Sequence, residues 1–134
     1  MKQIPKIEKF MTPMPHTINS GLSLKMAKEM MTKFGIRHLP VLAAGKLVGV
    51  ITDRDLKLAY SMNDQTEFSV DDVMSNDAYA VPPQADLDVV VTEMAERKLG
   101  SVVIQQENGK VVGIFTATDG LRAFGEVLQS RFKH

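Results

Sequence analysis

Cysteine is absent from this chain of 134 residues, which excludes disulfides, thiolate zinc sites and cysteine nucleophiles at once. An excess of either charge is also missing. Sixteen lysines and arginines balance sixteen aspartates and glutamates, and no run of like charge exceeds a few residues. That removes the main electrostatic reason to expect nucleic acid or a membrane surface as a partner. No apolar run approaches a membrane span, and Met1-Lys2-Gln3-Ile4-Pro5 lacks the apolar core of a signal peptide. The expected setting is the cytoplasm. His16, His38 and His134 stand far apart with no carboxylate cluster to join them, so no metal site is expected.

What is present is ordinary for a folded protein. Hydrophobic residues make up 44% of the chain, and a chain of this length forms one compact domain, or two small ones sharing a core, that buries about 70% of its unfolded surface. The nine methionines, Met30-Met31 among them, sit at helical core spacing and read as core filler.

The most informative stretch is Gly49-Val50-Ile51-Thr52-Asp53-Arg54-Asp55. It closes the apolar run Leu47 to Ile51, a buried strand by its branched residues, and Leu56, Leu58, Ala59 and Tyr60 continue as a helix. A strand that turns directly into a helix leaves unpaired N–H groups and a positive dipole end, a seat for an anion such as phosphate. The same residues also read as a helix cap, with Thr52 as N-cap and Asp55 completing a variant capping box. Gly113-Ile114-Phe115-Thr116-Ala117-Thr118-Asp119 repeats the pattern at the same spacing.

The repeat extends over nearly the whole chain. Phe10-Met11-Thr12 aligns with Val73-Met74-Ser75 at an offset of 63 residues, as Leu24, Ala27 and Met31 do with Leu87, Val90 and Met94. After one extra residue near Asn108 the offset is 64, and Gly45-Lys46-Leu47-Val48-Gly49 meets Gly109-Lys110-Val111-Val112-Gly113.

Each copy reads as strand, helix, strand, strand, helix. In the first, Lys6 to Met11 is a helical lead-in stopped by Pro13 and Pro15, and His16-Thr17-Ile18 is a short strand. Ser23 caps a helix with apolar face Leu24, Ala27, Met31 and Phe34, ended by Gly35. Leu39 to Leu42 is a strand in which Pro40 marks the start or an edge. Ala44-Gly45 turns into the strand Lys46 to Ile51, and the helix after Thr52 follows. Ser61 to Ser69 is polar and aperiodic, a linker.

The second copy opens at Val70 to Met74. Its strands lie around Tyr79-Ala80-Val81, at Ser101 to Gln105 and at Lys110 to Phe115. Asp86 caps its first helix. Its last helix runs from about Thr118 towards Phe132 on Leu121, Phe124, Val127 and Leu128. The expected boundaries are residues 4–60 and 70–125 for the copies, 61–69 for the linker and 126–134 for a C-terminal helical extension. A copy of about 60 residues is marginal alone, so the two are expected to pack together sheet to sheet with clefts between them. The fold class is α/β, or α+β by some schemes.

These motifs together resemble the CBS (cystathionine β-synthase) domain. The likeness rests on Phe10-Met11-Thr12, on Leu24-x-x-Ala27-x-x-x-Met31, on Ile36-Arg37-His38-Leu39-Pro40-Val41, and on Gly45 through Leu56. The second copy departs from it, with Leu99-Gly100-Ser101-Val102-Val103-Ile104 in place of the arginine, histidine and proline, but keeps Gly113 through Asp119. The likeness covers residues 4 to 125 and implies two tandem β-α-β-β-α units with pseudo-two-fold symmetry, a Bateman module.

It also implies a regulatory ligand rather than a required cofactor: AMP, ADP or ATP, or in some members S-adenosylmethionine, NAD or a diadenosine polyphosphate. Thr52 and Thr116 would contact phosphate, and Asp55 and Asp119 the ribose hydroxyls. Adenine would lie among Thr17, Ile18 and Ile36 in one cleft and Ala80, Val81 and Leu99 in the other, each paired with the threonine and aspartate of the opposite copy. On that pairing Arg37 or His38 shares a ligand with Thr116 and Asp119, and Ser101 shares one with Thr52 and Asp55. Arg37 and His38 read equally as phosphate ligands or as solvated, helix-capping groups. The partners implied are an adenosine compound, a second copy of the chain through helix positions Met30, Phe34, Val91 and Phe124, and a separate effector protein. An alternative is a structural dimerisation module with unoccupied clefts. Catalysis is not expected, because no nucleophile–base pair, phosphate-transfer lysine loop or paired catalytic acids can be found.

Overall fold

The structure, a computed structural model, describes residues 3–62 and 68–132; the middle of the expected linker and His134 lie outside the described residues. A 3-10 turn (Ile7–Lys9) and β1 (Thr12–Pro13) open the chain, followed by β2 (Ile18–Asn19), α1 (Leu24–Phe34), β3 (His38–Ala43), β4 (Lys46–Thr52) and α2 (Asp53–Met62). The second half carries α3 (Val70–Val73), β5 (Ala80–Val81), α4 (Leu87–Arg97), β6 (Ser101–Gln105), β7 (Val111–Thr116) and α5 (Ala117–Arg131). The chain thus has the mixed α/β character expected, with the β-α-β-β-α order present twice.

The compact units do not coincide with the sequence copies. One unit is residues 15–78, and the other joins residues 1–14 to residues 79–134. Each copy's lead-in therefore belongs to the unit built on the other copy's sheet.

In the unit of residues 15–78 the sheet order is β2-β3-β4, with β2 parallel and β4 antiparallel to β3. Ser23 caps α1 by accepting from the Met26 N–H at 3.1 Å, and Gly35 ends the helix at φ 64° and ψ 37°, a left-handed conformation that suits glycine. Leu24, Ala27 and Met31 pack with Ile18, Leu39, Val41, Ile51, Leu56, Ala59 and Val70. Phe34 does not join them. It is 39% exposed and stacks on His16 at 3.6 Å between ring centroids.

Pro40 neither begins its strand nor lies on an edge strand; it sits inside β3, the central one. Val50, its register partner, exchanges both backbone hydrogen bonds with Ser75. The Pro40–Val50 pair is thus a non-bonded position of the ladder, and β2 covers only Val41 and Leu42 on the other side. No ladder bond is lost.

In the other unit the order is β1-β7-β6-β5. Thr12 and Pro13, the proline expected only to stop the lead-in, form an antiparallel edge strand against Ile114 and Gly113. Ile7, fully buried, packs with Val81, Leu87, Val90, Met94, Val102, Ile104, Phe115 and Ala123. Asp86 stands at the N-cap of α4, but its carboxylate accepts from Lys6 Nζ at 2.6 Å instead of capping the backbone. Lys98 occupies the place of Gly35 and takes the same left-handed conformation, at φ 56° and ψ 45°. The expected apolar face of α5 is not buried. Leu121 and Phe124 are 72% and 60% exposed, and only Asp119 and Ala123 of this helix are buried.

Candidate functional site

Both strand-to-helix junctions are capping boxes with aspartate at the third position. The Thr52 N–H donates to Asp55 Oδ2 at 2.9 Å, and the Asp55 N–H donates to Thr52 Oγ1 at 3.1 Å. At the second junction the Thr116 N–H donates to Asp119 Oδ2 at 2.9 Å, and the Asp119 N–H to Thr116 Oγ1 at 3.3 Å. Each reciprocal pair satisfies two otherwise unpaired donors of the helix start. The cap expected from the sequence is present in both copies, and the question for ligand binding becomes what capacity remains.

The signature glycines serve packing. A Cβ on Gly49 would collide with the backbone oxygen of Ser75 and come within 2.9 Å of Met74 Sδ. On Gly113 it would collide with Met11 Sδ and approach Met11 Cγ to 3.0 Å. The lead-in methionine and its neighbour therefore lie directly over the strand that delivers the threonine.

The structure places the remaining residues as follows. His38 is the register partner of Thr52, and the Asp53 N–H donates to the Arg37 oxygen at 3.0 Å, so Arg37 and His38 sit at the Thr52–Asp55 junction of their own unit. Arg37 is exposed and His38 half-buried. Burial lowers the His38 pKa from 6.5, the Arg37 charge adds to the lowering, and Asp53 and Asp55 oppose it. In the other unit Ser101 is the register partner of Thr116, and the Ala117 N–H donates to the Gly100 oxygen at 3.0 Å.

Ile18 and Val81 are core residues. Thr17, Ile36, Ala80 and Leu99 are half-buried, Ile36 and Leu99 packed against their unit's core. Ala80 and Val81 also line a cleft of about 570 Å³ with Gln105, Gln106, Glu8 and Glu107. It lies at the end of β6 remote from Ser101 and carries carboxylates without a cation, the wrong sign for a phosphate chain.

Two residues given no site role from the sequence contact the second junction. Arg122 Nη1 donates to Asp119 Oδ1 at 2.9 Å, and Thr12 Oγ1 lies 3.4 Å from the same oxygen. The arginine was legible as an i,i+3 partner of Asp119. The threonine, more than a hundred residues away, carried no local signal.

A duplicated β-α-β-β-α unit, with a threonine–aspartate cap at each closing strand-to-helix turn, defines a class of paired-repeat domain. The chain belongs to the CBS domain family, whose profile matches residues 7–61 and 70–126. Among solved structures it is similar to the CBS domain pair of protein MJ0100 in complex with 5'-methylthioadenosine and S-adenosyl-L-methionine. There the TM-score is 0.85 and the identity 29%, over 92% of this chain and 98% of that one. The Vibrio cholerae protein AcuB gives a TM-score of 0.85 at 31% identity, over 98% and 100% of the two chains. CBSX2 in complex with AMP gives 0.77 at 25% identity, over 91% and 97%. The chain spans about a quarter of the length of the first curated relatives it matches. L-aspartate semialdehyde sulfurtransferase of Methanocaldococcus jannaschii, for one, is 29% identical over 123 residues, which is 91% of this chain and 24% of that protein. Such enzymes are matched over the CBS region alone. Among the described residues no helix is long and apolar enough to cross a membrane, and no cluster of histidines and carboxylates is arranged to hold a metal ion.

Proposed function

We propose that the chain is a regulatory module that binds an adenosine-containing ligand of the AMP, ADP and ATP class and signals its occupancy to a separate effector protein. The observation that carries this reading is the chemistry left over at the Thr52–Asp55 junction. Asp55 accepts one hydrogen bond, on Oδ2, and among the described residues its Oδ1 accepts none. A free carboxylate oxygen at a helix N-terminus accepts from the vicinal hydroxyls of a ribose, while the Thr52 hydroxyl suits a phosphate, and the exposed Arg37, whose backbone oxygen accepts from the Asp53 N–H, supplies a cation to the same junction. The complexes of the similar pairs with S-adenosyl-L-methionine, 5'-methylthioadenosine and AMP support an adenosine compound as the class. S-adenosylmethionine and NAD are the alternatives within it. No catalytic step is proposed.

The reading includes a homodimer formed through helices. Met62 of α2 and Leu121 and Phe124 of α5 are exposed apolar side chains that a second copy would cover. Titration calorimetry with AMP, ADP, ATP, S-adenosylmethionine and NAD tests the ligand class. Heat from at least one is expected. No heat from any would leave the structural dimerisation module as the better reading, and a monomer mass by light scattering at micromolar concentration, with and without ligand, would remove the dimer.

A further inference from the structure

We infer that Arg122 decides which of the two junctions takes ligand, by holding the second one closed. The inference rests on the adenosine-binding reading above and names the residue that makes its two sites unequal. A carboxylate has about four lone-pair positions. Asp119 uses three of them within its own unit: Oδ2 accepts from the Thr116 N–H at 2.9 Å and the Thr116 hydroxyl at 3.2 Å, and Oδ1 from Arg122 at 2.9 Å, with the Thr12 hydroxyl a looser neighbour at 3.4 Å from Oδ1 and 3.5 Å from Oδ2. Asp119 is only 5% exposed. That leaves too little acceptor capacity for both hydroxyls of a ribose while Arg122 stays in place.

Asp55 is in the opposite condition. Arg122 corresponds to Leu58 in the first copy, a side chain 64% exposed that cannot donate. Thr12 corresponds to Ser75, which makes no hydrogen bond to Asp55 among the described residues. The cap is the same in both copies, and the closure is present in one. The Arg122 side chain is itself 64% exposed, so it can swing into solvent. Ligand at the second junction therefore competes with a tethered guanidinium, whereas ligand at the first competes with water.

The swap of the two residues is the test. Equilibrium dialysis of the full chain with AMP should show a stronger site lost in Asp55→Ala and kept in Asp119→Ala. Arg122→Leu should tighten the weaker site about tenfold, the scale of one charge-assisted hydrogen bond, and Asp119→Ala should remove that gain. Leu58→Arg should weaken the stronger site by about the same factor. Both swapped positions are exposed, and an unchanged melting temperature verifies that the variants fold. Two equal sites in the unmutated chain, or no change in Arg122→Leu, would overturn the role of Arg122 while leaving nucleotide binding intact. AMP binding to neither the unmutated chain nor Arg122→Leu, with no heat from ADP, ATP, S-adenosylmethionine or NAD either, would remove the underlying reading and this one with it.

Discussion

At the scale of single residues, Arg37 and His38 are the side chains whose surroundings say most. Register puts His38 opposite Thr52, and Arg37 is tied through its backbone to the first turn of α2. Arg37→Ala should therefore weaken the site that Asp55→Ala weakens, by about 1–3 kcal/mol for a lost charge-assisted contact. Calorimetry on the single and double variants measures this. A loss that followed Asp119→Ala instead would mean that the ligand bridges the two copies, the arrangement the family resemblance implies. His38 makes a separate prediction about stability. Burial holds its folded pKa below the unfolded value of 6.5, so between the two values the unfolded chain binds more protons and stability rises with pH. The contribution is fully present above the unfolded value and is lost as pH falls through the folded one. Urea melts from pH 7.5 down to pH 5 should show a decline that His38→Gln reduces. An identical decline in that variant would place the titrating group elsewhere.

At the scale of elements, the helix ends and the signature glycines carry the predictions. Lys98 adopts a left-handed conformation that costs a side-chain-bearing residue about 1–2 kcal/mol, and the first copy solves the same turn with Gly35. Lys98→Gly should raise stability by about 1 kcal/mol in denaturant melts, and Gly35→Lys should lower it by a similar amount. Gly49→Ala should cost about 1–3 kcal/mol, because the new methyl meets the rigid backbone at Ser75. Gly113→Ala should cost less, since only the flexible Met11 side chain must move. Equal costs would show that the strand, not the overlying segment, sets the demand for glycine. These elements were the legible part of the sequence, because their signals are local. Ser23 and Gly35 bound α1 as expected, the two Thr-x-x-Asp boxes cap their helices, and Ala44-Gly45 turns between strands with both residues at positive φ. Pro40 misled because its tolerance depends on Val50 bonding to Ser75, a partner 25 residues further on. Periodicity gave α5 a hydrophobic stripe, but periodicity says which residues share a face and not whether anything covers it.

At the scale of the whole molecule, the exchange of lead-ins between copies is the feature with no sequence signature. Residues 6–13 align with residues 69–76 through apolar positions at the same spacing, Ile7 with Val70, Phe10 with Val73 and Met11 with Met74, and that pattern does not say which sheet each serves. Only the chain's path in three dimensions assigns Ile7 to the core with Phe115, and Val70 to the core with Ile51. The same permutation explains why the closure of the second junction involves Thr12: a first-copy residue reaches Asp119 because it belongs to that unit. Damage to a lead-in should consequently appear in the sheet of the opposite copy. Ile7 is fully buried, and Ile7→Ala should cost about 2–5 kcal/mol, the range for deleting most of a packed aliphatic side chain. Hydrogen exchange under native conditions localises the loss. In Ile7→Ala, protection should fall first in β6 and β7, at amides such as Val103 and Phe115, while β3 and β4 keep theirs. Val70→Ala should give the mirror result, with exchange rising at Leu39 and Ile51. If Ile7→Ala instead loosens β3 and β4, each lead-in serves its own copy and the units follow the sequence repeat. Equal loosening of both sheets in both variants would mean that the two units open as one cooperative body, and the permutation would then leave no separate energetic trace.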